Sequence, residues 1–228
     1  MNTPGTRPGA ALLVVAKAPV PGRVKTRLSP PASPEQAAEI AVAGLLDTMR
    51  AVRAVPGTTP VVALAGRLDG ACRAAELRAE LASVAVFAQR GRSFGDRLAA
   101  AHADVAHALA GLPVLQIGMD TPQVSAELLG ECAGALQRDG LDAVLGPATD
   151  GGWWALGLVD PRHGAVLRAV PMSRPDTGAA TLTALRRAGL RVGLLPELTD
   201  VDRMTDARLV AAQLPGSEFA KAVKAVGQ

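Results

Sequence analysis

The sequence predicts an α/β protein with a central, mostly parallel β-sheet covered by helices, on three observations. Short apolar runs alternate with helical patterns of ten or more residues, the order that parallel strands and their crossovers require. Several of those runs are continuously apolar, as strands buried on both faces are. The third is composition. Among 228 residues 49% are hydrophobic but only 2% aromatic, with three Phe, two Trp and no Tyr. The core is therefore built from Ala, Leu and Val, and Ala-rich segments favour helix.

In chain order, Ala11 to Ala16 is the first strand, and a loop over 17–31 follows with four prolines and four basic residues. Ser33, Pro34 and Gln36 read as N-cap, first helical residue and capping-box partner of a helix running to about Val55. Val61–Ala65 is a strand, Asp69–Leu81 a helix, Val84–Phe87 a strand and Gly95–Ala110 a helix. Pro113–Ile117 is a strand, Ser125–Arg138 a helix and Ala143–Leu145 a strand. Trp153–Leu158 is extended, Thr177–Ala188 helical and Arg191–Leu195 a strand. A short helix over Thr205–Leu214, capped by Thr205, precedes a helical tail. No repeat or flexible linker divides the chain. The expectation is a leader over 1–10, loose and flexible, and a single domain over 11–228.

An apolar content this high excludes intrinsic disorder. The scarcity of aromatics excludes base-stacking nucleic-acid platforms and aromatic-rich sandwiches. Lys and Arg number 24 against 21 Asp and Glu, a net charge of +3, too small a surplus to mark a polyanion-binding surface. The apolar run from Ala10 is broken by Lys17, too short for a membrane span. Cys72 and Cys132 fit no metal or redox spacing, and a pair of reduced thiols in a cytoplasmic protein is expected.

In open α/β sheets ligands bind beyond the carboxyl ends of strands. Three loops there carry polar chemistry. In the first, Arg23, Lys25 and Arg27 fall on alternate residues after Gly22, with Lys17 upstream. Such a set can surround a di- or triphosphate. The spacing is neither a Walker A loop nor a dinucleotide fingerprint, and a solvated basic loop reads equally well from composition. In the second, Asp120 ends an apolar strand. It can hold Mg²⁺ or Mn²⁺ against phosphate oxygens, or serve as a turn Asp before Thr121 and Pro122. In the third, Asp150 precedes Gly151, Gly152, Trp153 and Trp154. The glycines allow close backbone approach, and the adjacent Trp residues, one facing each side of a strand, offer an apolar face for a sugar or base. Asp200 and Asp202 share a face later in the chain, where turn and capping roles read better for most of the segment. His102 and His107 are expected on a helix surface. No nucleophile motif is present, which disfavours covalent hydrolysis.

Four segments together, Ala16 to Leu28, Ile117 to Pro122, Leu145 to Trp154 and Asp200 to Asp206, resemble in order the signatures of a bacterial glycosyltransferase-like family. That family lies in the GT-A (nucleotide-diphospho-sugar transferase) superfamily. The run Lys25 to Pro30 is more distantly similar to 2-phospholactate guanylyltransferase. The resemblance spans roughly residues 11–210 and implies a GT-A fold, a Rossmann-like three-layer sandwich with a central, mostly parallel sheet. It implies Lys17, Gly22, Arg23, Lys25 and Arg27 at nucleotide phosphates, and Gly151, Gly152, Trp153 and Trp154 at the substrate. It further implies metal ligation by Asp120, Asp150 and Asp202, with Asp120 and Asp150 catalytic. The chain departs from the pattern at Met119, Thr121 and Thr149. Thr149 replaces a frequent Glu and removes a carboxylate from any second metal site. Trp153 and Trp154 stand where Tyr-Tyr is common.

The implied activity is metal-dependent transfer from a nucleotide-activated substrate, first of all glycosyl transfer from a nucleoside-diphosphate sugar. The alternative is nucleotidyl transfer to a small phosphorylated acid with release of pyrophosphate. A third reading is a non-catalytic nucleotide or sugar-phosphate binder. The expected partners are a nucleotide or nucleotide-sugar and a small-molecule acceptor, with no nucleic acid and no membrane span. Oligomeric state, donor base and acceptor are left open by the sequence.

Overall fold

The computed structural model describes residues 9–138 and 140–227. Residues 1–8 of the expected leader lie outside the described residues. Ala10, at the leader's end, is already buried, and its carbonyl accepts from the Thr59 N–H at 2.9 Å. The strands are β1 Ala11–Lys17, β2 Thr59–Ala65, β3 Ala85–Ala88, β4 Val114–Gly118, β5 Ala143–Pro147, β6 Trp153–Leu158 and β7 Val192–Leu194. The helices are α1 Pro34–Arg53, α2 Ala74–Leu81, α3 Phe94–Ala108, α4 Ala126–Ala135, α5 Thr177–Arg187, α6 Met204–Gln213 and α7 Glu218–Lys224. Two 3-10 segments, Thr26–Leu28 and Pro161–Ala169, complete the regular structure.

All seven strands form one sheet in the order β3-β2-β1-β4-β6-β5-β7. β6 runs antiparallel to β4 and β5, and the other pairings are parallel. The exception follows from chain length. The short connection between β5 and β6 suffices for a hairpin, whereas a parallel return needs a crossover of a dozen residues or more. As a consequence β6 begins at the edge where β1, β4 and β5 end. Trp153 and Trp154 therefore start at the carboxyl edge of the parallel strands.

β1 shows how the two faces are filled. Leu12, Val14 and Ala16 pack into a core that includes Leu45 and Met49 of α1 and Leu129 of α4. Leu13 and Val15 pack into the opposite core with Leu98 and Val105 of α3 and Leu185 of α5. A third cluster joins Ile40 of α1 to Phe219 and Val223 of α7. The expected capping box closes α1, since Gln36 N donates to Ser33 Oγ and Ser33 N donates to Gln36 Oε1.

Four details differ from the sequence reading. α2 starts at Ala74 rather than Asp69, because Asp69 pairs with Arg67 and Arg78 and Gly70 turns the chain at φ +77°. The 3-10 segment Pro161–Ala169, unexpected from the sequence, lies against α3. A Cβ at Gly164 would fall 2.6 Å from His102 Cβ. For that reason His102 is fully buried and not on a helix surface. At α6 the cap is the Asp206 carboxylate, which accepts from Arg203 N at 2.7 Å, while Thr205 lies inside the helix.

Among the described residues no helix is long and apolar enough to cross a membrane. Cys72 and Cys132 are both free thiols.

Candidate active site

A cleft of about 500 Å³ opens along the carboxyl edge of the sheet. Lys17, Arg23, Lys25, Arg27, Asp120, Asp150, Gly152, Trp153, Trp154 and Asp202 all line it. Gly22 and Gly151 do not line it, and each supports a loop that does. Gly22 makes the turn before Arg23 at φ +71°. Gly151 sits at φ +87° where a Cβ would fall 1.8 Å from the Pro175 carbonyl oxygen, so only glycine fits.

The basic loop is held from below. Lys25, itself left-handed at φ 46°, places its ammonium 3.3 Å from Asp120 Oδ2 and donates to the Val201 carbonyl. Val201 N donates to the Asp120 carbonyl at 2.8 Å, which binds the late segment to the end of β4. Lys17 N donates to Met119 Sδ at 3.1 Å, tying β1 to the same loop. Arg27 pairs with Asp202 at 2.7 Å. Arg23 has no carboxylate partner among the described residues.

Asp150 folds back on its own turn, its Oδ1 accepting from Gly152 N at 2.7 Å. The strand-like extension of β5 brings the late segment alongside. Ala148 bridges Leu198, and Thr149 N donates to the Leu198 carbonyl. Asp200 is thereby carried up to Asp120 and Asp150. Burial first, then the Asp150 and Asp120 charges, push its carboxyl up to about 6, against the opposing pull of its backbone bond and Lys25. Sequence reasoning noted that Asp200 and Asp202 share a face but selected only Asp202. The structure gives Asp202 to Arg27 and sets Asp200 among the other acids.

The two Trp residues part as strand alternation requires. Trp154, 2% exposed, belongs to the α1 side and donates from Nε1 to the Pro196 carbonyl at 2.9 Å. It lies across Gly146, where a Cβ would meet the indole at 2.5 Å. Trp153 packs on the α3 side, and its Nε1 donates to Thr181 Oγ1 of α5 at 3.1 Å. Gln89, Phe94, Arg97 and Gln116 also line the cleft and were not selected from the sequence. The available signal was Gln116, the lone polar residue in the apolar strand Pro113–Ile117.

The cleft sets the cationic side chains of one loop beside a group of carboxylates. The charges of Asp150 and Asp120 act on Asp200, and a hard divalent cation here would have to take most of its ligands from phosphate and water. Among the described residues no group of three or more His, Cys, Asp or Glu side chains is arranged to hold a metal ion.

The fold has solved counterparts. Over 95% of this chain and 94% of the other it superimposes with a TM-score of 0.81, at 26% identity, on a protein of Desulfovibrio desulfuricans G20 provisionally named a nucleotide-diphospho-sugar transferase. A cytidylyltransferase from Leptospira borgpetersenii serovar Hardjo-bovis aligns over 96% of this chain and 93% of its own, at 11% identity and a TM-score of 0.57. A nucleotidyl transferase from Methanothermobacter thermautotroptrophicus aligns over 93% and 98%, at 18% identity and a TM-score of 0.55. The sandwich is therefore the Rossmann-like one of nucleotide-sugar and nucleotidyl transferases. No curated protein matches the chain in sequence. Residues 48–174, more than half of the chain, match the profile of a family described as uncharacterized proteins conserved in bacteria, DUF2064, and the chain belongs to that family.

Proposed function

We propose that this protein is a transferase that uses a nucleotide-activated substrate, and that its reaction is glycosyl transfer from a nucleoside-diphosphate sugar. The observation that carries the reading is the meeting of the Arg23, Lys25 and Arg27 loop with Asp120, Asp150 and Asp200 in one cleft at the sheet's carboxyl edge. The likeness to the Desulfovibrio protein supports it, as the name of that protein concerns the same class of substrate.

In this reading the diphosphate lies over the basic loop. Lys25 supplies a compact charge, and Arg23 and Arg27 supply planar donors, so negative charge developing on the leaving diphosphate is met by fixed cations. Mg²⁺ or Mn²⁺ bound chiefly by the substrate's phosphate oxygens, with Asp120 helped by Asp150, would add Lewis-acid charge there. Asp150 is also placed to accept a proton from an acceptor hydroxyl. The exposed part of Trp153 offers a flat apolar surface for the sugar.

One feature favours nucleotidyl transfer as the second reading. Arg23, which has no carboxylate partner among the described residues, would be available to a third phosphate. The products separate the two, nucleoside diphosphate for glycosyl transfer and pyrophosphate for nucleotidyl transfer.

The test of the shared site is calorimetry of nucleoside diphosphates with and without Mg²⁺, on the parent and on Asp120→Ala. The expected result is loss of metal-dependent binding with the fold retained. Binding of nucleotide plus Mg²⁺ at parental strength by the variant would remove the metal from Asp120.

A further inference from the structure

The cleft has a second half, on the face of the sheet covered by α3. The four carboxylates that line the cleft, Asp120, Asp150, Asp200 and Asp202, all stand with the basic loop or with one another. The α3 side is lined instead by hydrogen-bond donors, chief among them Gln116 and Arg97.

Gln116 is 2% exposed, and its Oε1 lies 2.8 Å from Nε2 of the fully buried His102. Burial pushes the His102 ring down to about 4, so it is neutral and carries a single N–H. Among the described residues His102 Nδ1 has no partner. A buried N–H without an acceptor costs more and is rarer than a buried lone pair without a donor, so the proton sits on Nε2. His102 then donates to Gln116 Oε1, and the Gln116 amide NH₂ is left to face the cleft. Among the described residues nothing accepts from it. His102 thus acts as a positioning residue that fixes which end of Gln116 a ligand meets.

Arg97 rises from the first turns of α3, its guanidinium carbon 5.4 Å from the centre of the Phe94 ring. Among the described residues no carboxylate pairs with it, and its Nε is buried without an acceptor. A buried unpaired donor in a native fold calls for an explanation, and a bound anion is one. Ser173, held in a left-handed conformation at φ 60°, adds a hydroxyl to the same cleft.

We infer that Arg97, with the Gln116 amide oriented by His102, forms a second anion subsite, which binds a carboxylate borne by the transferred sugar or by the acceptor. The subsite rests on the nucleotide-transferase reading for its role in the reaction, and on Arg97 and Gln116 alone for its existence. It is separate from the basic loop, and it makes one of the two reacting molecules an acid.

The test is an NMR titration of the full chain, following the Arg97 Nε–H and Trp153 indole N–H signals. Glucuronate and glycerate are the anionic probes, glucose and glycerol their neutral counterparts, and pyrophosphate the probe of the basic loop. At least one acid should bind about tenfold tighter than its neutral counterpart, the size expected of a charge-assisted bond. A preference for glucuronate puts the anion on the sugar, and one for glycerate puts it on the acceptor. Arg97→Met should erase the preference and leave pyrophosphate binding unchanged. Gln116→Glu keeps volume and reach but turns the donor into a carboxylate, so it should repel the acids and spare the neutral probes. A purely structural role for Gln116 would not distinguish probes by charge. Equal binding of acids and neutral probes by the parent overturns the subsite, as does retained preference in Arg97→Met or a parallel loss of pyrophosphate. Arg97→Met removes no core side chain, so it remains decisive if Gln116→Glu fails to fold. Lys25→Ala separates the two readings. If it leaves pyrophosphate binding intact, the phosphate assignment of the basic loop fails while the Arg97 comparison still stands.

Discussion

Lys25 Nζ stands 3.3 Å from Asp120 Oδ2, joining residues 95 positions apart in the chain. The same ammonium donates to the Val201 carbonyl, so one side chain gathers the loops after β1 and β4 and the segment before α6. A phosphate entering here meets a cation already in place. Lys25→Ala is expected to weaken a nucleoside diphosphate by about tenfold or more while changing the bare nucleoside little. Calorimetry on the two ligands checks this, and equal losses would take the loop off the phosphates.

Asp200 is a destabilising group that lines the cleft. Its carboxyl is raised to about 6 by burial and by Asp150 and Asp120. The folded state therefore prefers it protonated, and above that range its charge works against folding. Asp200→Asn should stabilise the protein by about 1–2 kcal/mol at pH 7, after allowance for its partial exposure to solvent. The same change should weaken Mg²⁺-dependent nucleotide binding. Urea unfolding beside calorimetry tests the pair, and a variant both less stable and fully competent in binding contradicts the assignment.

The hairpin between β5 and β6 depends on Gly151. Its φ of +87° and the Pro175 carbonyl oxygen 1.8 Å from a would-be Cβ leave no low-energy position for alanine. Gly178 N also donates to the Gly151 carbonyl at 2.8 Å, fixing α5 against this turn. Gly151→Ala should cost about 2–3 kcal/mol and displace Asp150. Denaturation midpoints report the first effect and loss of ligand binding the second. A neutral result would mean that the turn can rearrange.

His102 gives the fold an acid sensitivity of known direction. Its pKa falls from the usual 6.5 to about 4 on burial, so between those values the unfolded chain binds more protons than the folded one. Stability is then complete above about pH 6.5 and is lost as pH falls towards 4, by about 3 kcal/mol for this group. Carboxylates contribute their own losses at lower pH, and a difference isolates the histidine. His102→Asn retains a hydrogen-bond donor without titrating, and its stability curve should be flatter than the parent's over that window. Parallel curves would show that His102 is protonated at little cost.

Much of the fold can be read from local pattern. The apolar run Ala11–Ala16, the Ser33–Gln36 cap and the alternation of strands with helices are short-range properties, set by side-chain period and turn chemistry. The three polar loops were legible for the same reason, since glycine, proline and charge interrupt apolar runs at strand ends. The opposite directions of Trp153 and Trp154 follow from strand geometry alone.

Tertiary structure decided which of these pieces meet. Inserting β6 antiparallel between β4 and β5 turns the start of that strand, with its two Trp residues, towards the ends of β1 and β4. A bridge from Ala148 to Leu198 lifts Asp200 to Asp120 and Asp150, while Arg27 takes Asp202. Gly164 lets the 3-10 segment close over His102, whose Nε2 lies 2.8 Å from Gln116 Oε1. None of these relations is encoded in spacing, because each depends on strand order and on close approach between segments distant in the chain. Sequence by itself set the elements and the chemistry of their ends, and packing chose the partners. Hydrophobic period is a local quantity, whereas the desolvation and charge that define a site exist only once the sheet is assembled.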